Sequence, residues 1–122
     1  MRFLRDLTRG GLATALAEVA ESRELDVLVE EAQVPVSPAG AAAAEILGLD
    51  PLYLACEGRF LGVVDARYAE EALCCLRQHP LGSGANLVGE FRTGKGEVLL
   101  RTAVGGTRRL LPLSGRPLPR IC

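Results

Sequence analysis

Thr8-Arg9-Gly10-Gly11-Leu12-Ala13-Thr14-Ala15-Leu16 opens a helix in this sequence, and Asp26-Val27-Leu28-Val29-Glu30 follows it as a strand. Apolar residues at the spacing of one helical face, continuing to Val19, indicate the helix. The strand is a short apolar run rich in branched side chains. A helix followed directly by a strand predicts a fold in which the two kinds of element share a core.

The next fifty or so residues continue this alternation of helices and strands. Ser37-Pro38 predicts the start of a second helix, with Ser37 as its cap, and Gly48 predicts its end. Residues 60–64 predict a second strand, and Asp65 is expected to cap a third helix. The buried stripe of that helix is expected to consist of Ala69, Ala72, Leu73 and Leu76.

The last third of the chain predicts strands without helices. Residues 86–91 and 98–101 are expected to pair as a hairpin around the turn Thr93-Gly94-Lys95-Gly96, and residues 107–111 to form a last strand. The predicted fold class is therefore α+β, with helices packed on one face of a mixed sheet. We expect residues 1–112 to form this domain, and residues 113–122, which are rich in Pro and Gly, to form a flexible tail.

Composition excludes several classes of function. The chain has 122 residues, 48% of them apolar, and a net charge of −1, so nothing favours a nucleic-acid partner or an anionic membrane surface. No apolar run could span a bilayer, and the first residues lack the apolar centre of a signal peptide, so a cytoplasmic protein is expected. The four cysteines contain no C-x-x-C pair and His79 is the single histidine, so no metal ligands are predicted.

Three places carry residues suited to chemistry. The chain stops at Cys122, a thiol on the predicted tail that is either a mobile carrier or an accidental last residue. The turn formed by Asp6, Leu7, Thr8, Arg9, Gly10 and Gly11 could let a phosphate or substrate approach the backbone at a helix start. It could equally be an ordinary helix start capped by Asp6 or Thr8. Glu57 precedes Gly58 between a predicted helix and strand, where it is either a general base or a solvated carboxylate paired with Arg59.

Four stretches together resemble one family, the hydrogenase maturation factor HypE. They are Asp6 to Leu12, Gly48 to Gly58, Leu100 to Arg108 and the terminal Pro119-Arg120-Ile121-Cys122. They occur in the family's order over the whole chain. The resemblance places the chain in the superfamily of aminoimidazole ribonucleotide synthetase and selenophosphate synthetase, and it implies that the fold is part of the C-terminal domain of that superfamily.

The resemblance implies an ATP-dependent carbamoyl dehydratase that makes the cyanide ligands of nickel–iron hydrogenase. In such a protein the carbamoyltransferase HypF would load a carbamoyl group onto Cys122. ATP would activate the amide oxygen and Glu57 would remove the amide proton, while the turn of Asp6, Thr8, Arg9, Gly10 and Gly11 lined the cleft. The thiocyanate would pass cyanide to the HypC–HypD complex. ATP and Mg²⁺ are the implied cofactors, and a homodimer is the implied state of the full-length protein.

The chain departs from the family pattern in three respects. Leu7 replaces a proline and Cys56 replaces an asparagine. The nucleotide-binding N-terminal domain and the first part of the C-terminal domain have no counterpart, so we expect a fragment that is inactive alone. Two alternatives remain: a non-catalytic docking module for the HypC–HypD complex, or another ATP-dependent kinase of the superfamily. The second leaves the terminal cysteine motif unexplained.

Overall fold

A computed structural model describes residues 1–113 of the chain, and the predicted carrier Cys122 lies outside the described residues. The described part contains six strands and three helices, joined by short 3-10 turns. The strands are β1 (Phe3–Leu7), β2 (Leu25–Glu30), β3 (Cys56–Val63), β4 (Gly89–Thr93), β5 (Val98–Arg101) and β6 (Thr107–Leu110). The helices are α1 (Gly11–Arg23), α2 (Pro38–Leu47) and α3 (Ala69–Gln78).

The strands form two sheets. A four-stranded sheet has the order β4-β2-β5-β6, in which β2 and β5 are parallel and the other two pairs are antiparallel. A separate antiparallel pair consists of β1 and β3. The prediction of an α+β fold with a mixed sheet is confirmed, whereas the sequence did not predict β1 or the second sheet.

The predicted hairpin between β4 and β5 is wrong, because β2 lies between these two strands. The connection from β4 to β5 passes across the start of β2, where the Asp26 carboxylate accepts hydrogen bonds from the backbone N–H groups of Lys95 (2.8 Å) and Glu97 (2.9 Å). These bonds, chiefly the one from Glu97, lower the pKa of Asp26. The turn therefore binds to β2 instead of closing a two-stranded hairpin.

Helix α1 lies at the centre of the core and contacts strands of both sheets. Its predicted apolar face is confirmed, and Leu12 and Leu16 are buried, each contributing about 1.5–3 kcal/mol to stability. Alternate residues of β2 and β5 point at the same core. The buried cluster consists of Leu12, Ala13, Ala15, Leu16, Ala17, Ala20, Val27, Val29, Leu52, Leu61, Val98, Leu100 and Leu110.

The two other helices differ in how well the sequence predicted them. Helix α2 begins as expected, because the Ser37 Oγ accepts the N–H of Gly40 at 3.1 Å, and it ends at Gly48. Asp65 caps the 3-10 turn Ala66–Tyr68 that precedes α3, not α3 itself. The predicted stripe of α3 is only half-buried, since within residues 1–113 this helix packs mainly against the 3-10 turns beside it.

Candidate functional site

The two-stranded sheet brings two of the predicted motifs to the same end of the molecule. Leu7, at the end of β1, pairs with Cys56, at the start of β3. One step earlier, Asp6 pairs with Phe60. The turn that follows Leu7 and the carboxylate of Glu57, which follows Cys56, therefore emerge from neighbouring strands. This register makes neighbours of residues that are about fifty positions apart in sequence.

Strand β3 carries a bulge at this point. Between the two pairs just described, Glu57, Gly58 and Arg59 have no partner on β1. Gly58 has a φ of 78°, a conformation that favours glycine, so the three residues can leave the ladder. Glu57 is exposed and lies inside β3, not between a helix and a strand as predicted. The strand begins four residues earlier than expected because the bulge lets the pairing resume at Cys56.

Glu57 is not paired with Arg59, so the alternative of a solvated carboxylate paired with that arginine is wrong. The Arg59 Nη1 donates to the carbonyl oxygen of Pro35 at 2.6 Å. Within residues 1–113, Glu57 takes part in no ion pair and no side-chain hydrogen bond. Its carboxylate is thus open to solvent, and a substrate could reach it.

The turn from Asp6 to Gly11 starts α1 without a side-chain cap, so the predicted cap by Asp6 or Thr8 is wrong. Gly10 occupies the cap position with a φ of 72°, and Thr8 contributes only its carbonyl oxygen, 3.5 Å from the N–H of Gly11. Asp6 and Arg9 are exposed. Uncapped N–H groups at a helix start carry partial positive charge, which suits an anionic group.

Gly11 packs this helix start against the segment that leads into β3. Its φ is 61°, and a Cβ atom there would lie 2.6 Å from the Leu52 carbonyl oxygen and 2.5 Å from that of Leu54. Only glycine permits such an approach. The contact holds the turn beside the residues that precede Glu57, independently of the Leu7–Cys56 pair.

The stretch from Leu100 to Arg108, which includes the start of β6, contacts the segment that leads into β3. The Arg108 Nη2 lies 2.6 Å from the Asp50 Oδ2, and the Tyr53 hydroxyl donates to the Leu111 carbonyl oxygen at 2.8 Å. Burial of the Tyr53 ring raises the pKa of its hydroxyl. The chain therefore reaches Leu113, the last described residue, from a point fixed beside Tyr53.

Two sequence expectations concern metals and membranes. Among residues 1–113, no group of three or more His, Cys, Asp or Glu side chains could hold a metal ion. His79 has a structural part: its Nδ1 accepts the N–H of Leu81 at 3.2 Å and caps a 3-10 turn. None of the helices in the described range is long and apolar enough to cross a bilayer.

Sequence reasoning missed β1 and the contact of Arg59. The stretch Phe3-Leu4-Arg5-Asp6-Leu7 hides its strand, because Leu4 is exposed while Arg5 is half-buried and forms an ion pair with Glu18 of α1. This pattern reverses the usual alternation of apolar and polar residues. No local signal in the sequence links Arg59 to Pro35, since the contact depends on tertiary structure.

The fold, with the Asp6–Gly11 turn beside the bulge of β3, defines a class of protein. The family model described as AIR synthase related protein, C-terminal domain, matches residues 1–101. The chain belongs to this family. The predicted resemblance to HypE is likewise confirmed by the similarity described next.

Particular relatives are named as HypE. The chain is 46% identical to carbamoyl dehydratase HypE of Cupriavidus necator over 123 aligned positions, which cover 100% of this chain and 35% of the relative. It is 47% identical to carbamoyl dehydratase HypE of Rhodobacter capsulatus, with 100% and 36% covered. The chain thus spans about a third of the length of these curated relatives.

Solved structures give the same result. A crystal structure of hydrogenase maturation protein HypE in complex with ATP superposes with a TM-score of 0.90 at 42% identity, covering 98% of this chain and 37% of that one. A crystal structure of a HypE–HypF complex gives a TM-score of 0.85 at 34% identity, with 90% and 36% covered.

Proposed function

We propose that this chain is the C-terminal part of an ATP-dependent carbamoyl dehydratase of the HypE type, which serves hydrogenase maturation. The observation that carries the proposal is the identity of 46–47% over the whole chain to proteins named carbamoyl dehydratase HypE. The pairing of Leu7 with Cys56 supports it, because two separate family motifs meet where a reaction would need them.

Cys122 would carry the reacting group. Its thiolate accepts a carbamoyl group and becomes a thiocarboxamide, a covalent intermediate on the protein. The amide oxygen then takes the γ-phosphoryl group of ATP, ADP leaves, and the nitrogen loses one proton. Loss of phosphate and of the second nitrogen proton leaves a thiocyanate on the sulfur. Phosphorylation is needed because an amide oxygen is otherwise a very poor leaving group.

Glu57 would be the base that takes a proton from the nitrogen. Its carboxylate is exposed at the bulge and has no partner within the described residues, so it is free to accept a proton. Asp6, Thr8, Arg9, Gly10 and Gly11 would line the cleft beside it. The positive end of α1 could stabilise negative charge on the phosphorylated oxygen or on the departing phosphate.

The geometry of the chain end supports a tail that reaches this site. Tyr53 holds the carbonyl of Leu111, and Tyr53 precedes Glu57 by only four residues. The nine residues after Leu113 could span at most about 30 Å when extended. We propose that Cys122 uses this length to meet both Glu57 and a partner protein.

ATP would bind mainly to parts of the protein outside this chain. A HypE structure contains ATP, and this chain covers 37% of that protein. Mg²⁺ would accompany ATP. We propose that its ligands lie in the rest of the protein, since no group of three potential metal ligands occurs within residues 1–113. This chain alone would then be inactive.

The proposed partners follow from the chemistry. A HypE–HypF structure supports HypF as the carbamoyl donor to Cys122. The HypC–HypD complex would accept cyanide on iron, the full-length protein would be a homodimer, and the reaction would take place in the cytoplasm. Neither nucleic acid nor a membrane would take part.

Intact mass spectrometry tests the carrier role. Full-length protein containing this segment is incubated with HypF, carbamoyl phosphate and ATP, with Cys122→Ala as the control. We expect a carbamoyl adduct on Cys122 that then loses one water, and no adduct on the variant. An unmodified Cys122 in the presence of active HypF would refute the mechanism and favour a non-catalytic docking module.

A further inference from the structure

We infer that Arg59 is a positioning residue: its guanidinium anchors the bulge of β3 to the carbonyl of Pro35 and thereby fixes the direction of Glu57. The inference rests on the proposed role of Glu57 as a base. It goes beyond that role by naming the residue through which the carboxylate is held. Arg59 itself does not need to touch the substrate.

The bulge needs an anchor because few contacts hold the residues between its two flanking ladder pairs. Glu57, Gly58 and Arg59 have no partner on β1, so three consecutive residues lack ladder contacts with that strand. A Cβ atom on Gly58 would meet nothing within 4 Å, so the bulge is not packed at its middle residue. Within residues 1–113, the bulge makes one side-chain hydrogen bond, the 2.6 Å bond from the Arg59 guanidinium to the Pro35 carbonyl oxygen.

The acceptor belongs to a fixed part of the fold. Val34, directly before Pro35, packs against the hydrophobic core, and its N–H donates to the Glu31 carbonyl oxygen at 3.1 Å. Proline restricts the backbone at the acceptor itself. A charged donor on such a carbonyl makes a stronger bond than a neutral one. The bulge is thus flanked by the Asp6–Phe60 and Leu7–Cys56 pairs, and Arg59 adds a side-chain anchor between them.

Direct evidence for the anchor can be obtained on this chain by measuring the alkylation rate of Cys56. Cys56 is a free, half-buried thiol beside Glu57, whereas Cys74 on α3 is a free, exposed thiol. With iodoacetamide and peptide-level mass spectrometry, we expect Arg59→Ala to raise the rate at Cys56 several-fold and to leave Cys74 unchanged. Arg92→Ala removes another exposed arginine, in β4, and should change neither rate. An unchanged Cys56 rate in Arg59→Ala would overturn the anchor.

The effect on Glu57 requires full-length protein already carbamoylated on Cys122. We expect Arg59→Ala to slow ATP-dependent dehydration about tenfold, as small misplacements of catalytic groups do, and Arg59→Lys to recover part of the rate. The loss should vanish in a Glu57→Gln background, because a positioning residue acts only through the group it positions. An equal loss in both backgrounds would show that Arg59 acts elsewhere.

These outcomes separate the two proposals. If Glu57→Gln dehydrates at the normal rate, the base assignment fails, and the role of Arg59 in positioning that base fails with it. If Glu57→Gln is inactive while Arg59→Ala keeps full activity and normal Cys56 protection, only the positioning role fails. Circular dichroism of each variant establishes that the fold is intact.

Discussion

Leu7 and Cys56 are partners across the two-stranded sheet, although 49 positions separate them in sequence. The bulge separates this pair from the rest of the β1–β3 ladder, which runs without interruption as far as Asp6 and Phe60. Leu7 also packs against the hydrophobic core. The position of Glu57 next to the Asp6–Gly11 turn therefore depends on a contact that is itself anchored in the core.

Gly11→Ala is predicted to be strongly destabilising. The substitution adds a strained backbone, at about 1–3 kcal/mol, to an overpacked contact with the Leu52 and Leu54 carbonyls, at about another 1–3 kcal/mol, so we expect a total loss of roughly 2–6 kcal/mol. Urea unfolding followed by circular dichroism measures it.

Gly48→Ala is the matched control for this substitution. Gly48 also has a positive φ, 66°, but a Cβ atom there would meet nothing within 4 Å. Its loss should be only the backbone strain, about 1–2 kcal/mol. Equal losses for the two variants would contradict the close packing of the α1 start against the segment before β3.

Asp26→Asn is predicted to change how stability depends on pH. The backbone N–H groups of Glu97 and Lys95 lower the pKa of Asp26 below the ordinary value of 3.8. The unfolded chain therefore takes up a proton before the folded chain as the pH falls, and the stability that the carboxylate provides is present above pH 3.8 and is lost below it.

We expect Asp26→Asn to be less stable than the unmodified chain at pH 7 and to differ from it much less at pH 2–3. Urea midpoints at both pH values measure this difference. Asp65, whose pKa Arg67 lowers to about 2, is unchanged in both proteins, so its contribution cancels in the comparison. A difference that is independent of pH would contradict the ionised role of Asp26 in the β4–β5 connection.

Tyr53→Phe is predicted to cost about 1 kcal/mol, because the ring still packs but the Leu111 carbonyl loses its donor. Tyr68→Phe is the control, since Tyr68 is 54% exposed and has no hydroxyl hydrogen bond within residues 1–113; it should change stability by much less. Identical stabilities of the two variants would contradict the tie between the chain end and the segment before Glu57.

The sequence predicted the parts of this fold that local physics controls. Helix α1 has its apolar face where the spacing of Leu12 and Leu16 placed it, and α2 has the cap at Ser37 that its sequence indicated. Both depend on residues within a few positions of one another. The family resemblance was likewise readable, because its motifs are contiguous in sequence.

Long-range pairing could not be read in the same way. The β4–β5 turn has a sequence typical of a hairpin, but β2 lies between the two strands. The turn binds instead to the carboxylate of Asp26, about seventy positions away. Strand β1 was hidden because Arg5 is half-buried and pairs with Glu18, whereas Leu4 is exposed. The candidate residue Glu57 was found from its motif, whereas its bulge and its neighbour Arg59 required the register of β1 with β3.

Single-turnover dehydration by a Glu57→Gln variant tests the proposed site most directly. Full-length protein carbamoylated on Cys122 is mixed with ATP, and intact mass is followed for loss of one water, with Glu71→Gln on exposed α3 as the matched control. We expect Glu57→Gln to accept the carbamoyl group normally but to dehydrate it at least ~100-fold more slowly than the unmodified protein. Glu71→Gln should behave like the unmodified protein. Dehydration by Glu57→Gln at the normal rate would contradict the account.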